Sequence, residues 1–153
     1  VLTLLDCTAQ KQYETELAMY ARQENKPLLH LETIEFQTGI FDSWDRSDQI
    51  QMVNELILEK EKNQQLMRRL VACYRLQDLD ALLQLTCEQP EYQKYNQALL
   101  GDRNNNWIPL MTDMMTQQRV FFGVGAAHLG GKNGVIALLR EAGFNVEAYN
   151  PAE

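Results

Sequence analysis

Apolar positions along this chain recur mostly with a helical period. Tyr13, Leu17, Tyr20 and Ala21 fall three or four residues apart, so residues 8–24 read as a helix. Thr8 is placed to cap its start, and Asn25-Lys26-Pro27 to stop it. From Ser47 to Glu88 the spacing is helical again, with Ile50, Val53, Ile57 and then Leu66 and Leu70 marking one face. The polar run from Glu59 to Gln65 predicts a solvated turn or a break within that stretch. Asp78 is placed to cap a further helix carrying Leu79, Leu82 and Leu83. Pro90 suits the first turn of the next, which holds Tyr92, Tyr95 and Leu99. The stretch from Gly101 to Asn106 reads as an interruption, and Trp107 to Gln118 as an amphipathic helix with Leu110, Met114 and Met115 apolar.

Three segments carry a different pattern. Leu28–Leu31 is a short continuous apolar run, as in a buried strand. Val120–Val124 is β-branched and aromatic, and Phe144–Tyr149 alternates apolar with polar, closed by Pro151. Between the last two lie a glycine-bearing loop from Gly125 to Gly134 and a short helix faced by Val135, Leu138 and Leu139, which Gly143 ends in C-cap position. Strand, helix and strand over this length imply a right-handed crossover and a parallel pair. The expected fold is therefore α/β: helix-rich, with a small, largely parallel sheet of about three strands and a βαβ unit at the C-terminus. The chain has neither internal repeats nor low-complexity segments.

Composition narrows the function classes. The length of 153 residues suits one domain with a real core. A net charge of −7 argues against nucleic-acid binding, because phosphate contact needs clustered Lys and Arg. No apolar run is long enough to span a membrane. Cys7, Cys73 and Cys87 form no CxxC pair and are accompanied by only two His, which disfavours a closed structural zinc site. They read as small hydrophobes, with a Cys73–Cys87 disulfide left open for an exported protein. The chain starts at Val1-Leu2-Thr3-Leu4-Leu5 without Met or signal peptide, as an excised fragment would, so this start says nothing about compartment.

Three places carry candidate chemistry. In Gly123-Val124-Gly125-Ala126-Ala127-His128, a strand runs into small residues and delivers a single His at its end. Open α/β sheets place ligands at such strand ends, and His128 suits a metal ligand, a general base or simply a satisfied loop residue. Glu32 follows the run Leu28–Leu31, where a carboxylate needs a partner or a cation, with Glu35 three residues on. The competing reading is a helix start, which Thr33 and Glu35 also suit. Arg103-Asn104, close before Trp107, is placed to clamp a carboxylate or other anion, or to pair with Asp102. Gly130-Gly131-Lys132-Asn133-Gly134 lacks Walker spacing, no GxSxG is present, and His30 sits inside an apolar run as a core or edge residue.

Taken together, Leu31-Glu32-Thr33-Ile34-Glu35-Phe36-Gln37, Arg103-Asn104 with Trp107, and Val120 to Leu129 with Gly131, Gly134 and Gly143-Phe144 resemble the TraB/GumN family. That family is similar to the animal Tiki proteins, which are metal-dependent proteases. The family pattern has two GxxH motifs, and this sequence holds the second, Gly125-Ala126-Ala127-His128. The resemblance thus implies that residues 1–153 are the C-terminal half of a family domain whose first GxxH is absent here. It implies a metal-dependent hydrolase, a peptidase acting on peptide or protein substrates, with a divalent ion held by His128 and Glu32. Glu32 would be that second ligand or the general base, and Arg103 would steady a substrate carboxylate or a developing oxyanion. With one GxxH missing, the fragment is expected to bind metal poorly and to be inactive alone. The alternative is a non-catalytic module that binds a peptide or signal in the same cleft. An exported parent and a homo-oligomeric fragment, paired through strand edges or apolar helix faces, complete the expectation.

Overall fold

The computed structural model describes residues 11–149. Its elements are α1 (Tyr13–Gln23), α2 (Ile34–Asp42), α3 (Arg46–Leu58), α4 (Lys60–Arg75), α5 (Leu79–Cys87), α6 (Pro90–Asn96), α7 (Asp102–Gln117) and α8 (Val135–Glu141). A π-helical turn, Gln97–Gly101, joins α6 to α7, and a 3₁₀ turn, Ala126–His128, precedes α8. The chain divides into two compact units, residues 1–71 and 72–153.

The helix ends follow local chemistry. The hydroxyl oxygen of Thr33 accepts from the Phe36 N–H at 3.1 Å, and the Asp78 carboxylate accepts from the Ala81 N–H at 3.0 Å. Each satisfies a donor that the first turn leaves without an intrahelical partner. Pro90 occupies the first turn of α6. Three helices end in the same Schellman arrangement. After α8, Gly143 adopts φ +92, its N–H bonds the Arg140 carbonyl, and the Phe144 N–H bonds the Leu139 carbonyl. Asn25 (φ 52) closes α1 and Gln77 (φ 56) closes α4 with the corresponding bond pairs. The Thr8 cap lies outside the described residues.

Several expectations are corrected. No strand forms among the described residues, so there is no parallel sheet and no βαβ unit. Leu28 and Leu29 are 46% and 53% exposed rather than buried. In 120–124 the side chains still alternate: Val120, Phe122 and Val124 are half-buried while Phe121 and Gly123 are exposed. No backbone hydrogen bond ties that segment to another among the described residues. β-Propensity measures how a side chain fits a pleated, half-buried surface, and a strand needs in addition a neighbouring backbone to pair with. Gly101–Asn106 is not an interruption either, since the helix runs through it by way of the π turn. The expected break in Glu59–Gln65 shrinks to Glu59 alone, and the rest of that polar run stands on α4.

The second unit holds most of the buried apolar side chains. Leu82 and Leu85 of α5, Leu99 and Leu100 of the π turn, Trp107 and Met111 of α7, and Val135 of α8 are all buried. Each such side chain contributes about 1.5–3 kcal/mol relative to exposure. α7 packs on α8, and α5 packs on the 3₁₀ turn. In the first unit Trp44 is buried, its ring 5.2 Å from that of Phe41, and the Gln49 amide donates to the carbonyls of both residues. Ile34, Ile57 and Leu58 are 76%, 68% and 79% exposed. No helix among the described residues is long and apolar enough to cross a membrane.

Candidate functional site

The site is built on the start of α7. The π turn precedes it: the Asp102 N–H bonds the Gln97 carbonyl, five residues back. One extra residue in a turn rotates everything that follows by about 100° relative to an unbroken α-helix, so the π turn sets where Arg103, Asn104 and Trp107 face. Two side chains bond carbonyls of this turn. The Arg103 Nη1 donates to Leu99 at 3.0 Å, and the Asn105 amide donates to Gly101 at 2.8 Å.

Asn104 is 2% exposed and His128 is 7% exposed. Asn104 Nδ2 donates to the carbonyl of His128 at 3.3 Å and to that of Asn133 at 2.8 Å. Two carbonyl acceptors on one side of the amide fix its orientation, so Oδ1 is the atom that meets His128 Nδ1, at 2.7 Å. An amide oxygen only accepts. Nδ1 therefore carries a proton, and in the neutral ring Nε2 carries the lone pair. The His128 ring lies against Trp107, with centroids 4.4 Å apart and planes inclined at 41°. The Arg103 guanidinium lies 5.2 Å from the same indole, within cation–π range. Arg103 and His128, distant in sequence, are thus gathered around Trp107.

The loop from Leu129 to Gly134 holds His128 in place by close backbone packing. A Cβ on Gly134 would stand 2.2 Å from the Gly130 carbonyl oxygen and 2.4 Å from that of Leu129. Gly131, at φ +77, would place a Cβ 2.9 Å from Leu83 Cδ2 of α5. Gly125 is different: an added Cβ meets His128 Cδ2 at 3.6 Å, an ordinary contact. Beside the site, burial pushes the half-buried Tyr92 hydroxyl above its ordinary value of 10.0, Glu91 adds to that, and Arg103 opposes it.

Glu32 stands in the first unit. It is half-buried, precedes the Thr33 cap of α2, and accepts from Gln37 Nε2 at 2.6 Å. Local geometry thus gives Thr33 the helix-start role, while Glu35 is exposed in the first turn of α2. Of the three sequence-derived site residues, Arg103 and His128 share a neighbour within the second unit, and Glu32 belongs to the other unit.

The fit to a divalent metal can be judged from the donors. Among the described residues no three His, Cys, Asp or Glu side chains form a group able to hold an ion. Cys73 and Cys87 are free thiols. His128 presents the right tautomer for one ligand position, but a catalytic shell wants about three protein donors, which the described residues do not supply together.

The importance of Asn104 was missed in the sequence, where it stood only beside Arg103. One signal was present: three consecutive Asn at 104–106 are poor helix formers, and such residues persist inside helices when their side chains have hydrogen-bonding work.

The model of the TraB/PrgY/gumN family matches residues 1–148. The chain belongs to the TraB/PrgY/gumN family. Searches of curated proteins and of solved structures find no match.

Proposed function

We propose that this chain is the C-terminal half of a TraB-type, metal-dependent hydrolase that cleaves peptides, with His128 Nε2 as the atom it brings to the reaction. The observation that supports this reading most is the grouping of His128 and Arg103 about Trp107, the buried imidazole and the guanidinium each lying against the same indole. In this reading Arg103 binds a substrate carboxylate or the oxyanion that develops on the attacked carbonyl. Burial of His128 keeps bulk water from its ring, and Trp107 holds the ring plane. Glu32 keeps, from the family resemblance, the proposed role of second donor or general base. A divalent ion, when bound, would polarise the scissile carbonyl and activate water. As the family resemblance implies, the reading has a further GxxH histidine completing the shell and this chain inactive without it.

The test is turnover of fluorogenic peptides by a protein carrying both halves, with and without added divalent ion and chelator. The expected result is ion-stimulated cleavage that chelator abolishes, and no cleavage by this chain alone. Tight peptide binding without turnover, indifferent to chelator, would replace the hydrolase with a binding module of the same fold.

A further inference from the structure

We infer that Asn104 is the positioning residue of this site: its amide oxygen selects the Nδ1–H tautomer of His128 and so makes Nε2 the reactive nitrogen. The inference rests on the reading of His128 as the reacting group, but its own test does not depend on activity. Neutral imidazole left to itself in water favours the opposite tautomer, with the proton on Nε2. Something must reverse that preference wherever Nε2 is to accept a proton or donate a lone pair.

The geometry of Asn104 performs this reversal in a way that a lone hydrogen bond would not. An asparagine facing a histidine can present either end, because rotation by 180° about its last side-chain bond exchanges oxygen and nitrogen. Here that rotation is blocked chemically. Nδ2 is held by the His128 carbonyl and the Asn133 carbonyl, at 3.3 and 2.8 Å. Turning the amide over would aim its oxygen at two carbonyl oxygens and leave its N–H groups facing Nδ1. The same two carbonyls bracket the loop from Leu129 to Lys132, so one side chain both closes the loop and reads the imidazole. Loop closure and tautomer choice are coupled: His128 cannot swing away from Asn104 Oδ1 without disturbing the backbone that Asn104 also holds.

This differs from a carboxylate partner. An Asp at this position would keep an acceptor against Nδ1 but lose both N–H donors. The two roles of Asn104 can therefore be separated by substitution. Asn104→Asp retains the tautomer and loosens the loop, whereas Asn104→Leu removes both functions while keeping the branched shape.

The experiment is nitrogen-detected NMR of the histidine rings in the full chain at a pH where they are neutral. The chain has only two histidines, so His30→Gln assigns the His128 signals. The expected wild-type pattern is a protonated Nδ1 and an unprotonated Nε2. Asn104→Asp should keep that pattern, and Asn104→Leu should move the ring toward Nε2–H. In the active two-half protein, Asn104→Leu should lower kcat by about 10–100-fold, the usual cost of losing such an orienting partner, and Asn104→Asp should restore part of it. A wild-type His128 protonated on Nε2 overturns the inference without any variant, and so holds even if Asn104→Leu fails to fold. An Asn104→Leu protein that folds and keeps the Nδ1–H pattern overturns it as well. If the tautomer is as expected and the two-half protein cleaves nothing, the hydrolase reading fails while the positioning role of Asn104 stands.

Discussion

At the scale of single residues, the second unit concentrates its polar exceptions at one place. Two buried polar side chains, Asn104 and His128, bond each other, and the Asn104 amide also donates to two backbone carbonyls that flank one loop. Buried polar groups are costly unless satisfied, so a satisfied pair inside an apolar surround is the kind of feature that specifies a unique local structure. Tyr92 offers a separate test of the surroundings. Its hydroxyl is pushed above 10.0, chiefly by burial, so the folded chain holds that proton more tightly than the unfolded chain. The stability this contributes is fully present below pH 10 and is lost as pH rises through the folded value. Tyr92→Phe should therefore flatten the loss of stability above about pH 10, measured by urea unfolding at a series of alkaline pH values. An unchanged alkaline slope would mean that Tyr92 is not held in a buried setting.

At the scale of elements, helices were legible and pairing was not. Periodicity found the helix α1 and the packed faces of α5 and α8, and turn chemistry found the Asp78 cap, Pro90 and Gly143, because those signals are local and each residue acts within a few positions of itself. A strand is not local in that sense. The side-chain alternation of 120–124 is present, yet no partner backbone meets it among the described residues. The run Gly101–Asn106 misled for another reason: a π turn places Gly and Asn at work inside a helix, where propensity alone predicts a loop. His128 and Arg103 were legible as types in a motif, whereas their meeting at Trp107 depends on how α7 and the 3₁₀ turn pack. The glycines separate in the same way. Gly134→Ala should destabilise the second unit by about 3 kcal/mol, since its Cβ would overlap two backbone carbonyls that cannot move without opening the loop. Gly125→Ala should cost no more than about 0.5 kcal/mol, since its Cβ finds ordinary contact distance. Thermal unfolding of the two variants decides this, and equal losses would contradict the loop geometry.

At the scale of the whole molecule, the contrast between units matters most. Buried apolar side chains gather in the second unit, while large hydrophobics of the first, including Ile50, Val53, Leu56 and Ile57 of α3, are each about half exposed or more. Apolar surface of this kind marks an interaction site or a liability to associate. We therefore predict that the isolated chain self-associates, most simply as a two-fold dimer covering helix faces of the first unit. Light scattering at tens of micromolar should give a mass above that of a 17.7 kDa monomer. A strict monomer would show that these faces are compatible with solvent.

The central claim is that His128 is the reacting residue of a TraB-type site. The most direct measurement is the turnover of a peptide substrate by His128→Gln in a protein carrying both halves of the domain, alongside its thermal unfolding. Glutamine keeps a polar group near Asn104 and Trp107 but cannot act as a base or present an imidazole nitrogen. The account predicts a fall in kcat of about 1,000-fold with the fold retained. A folded His128→Gln protein that cleaves peptides at the wild-type rate would contradict it.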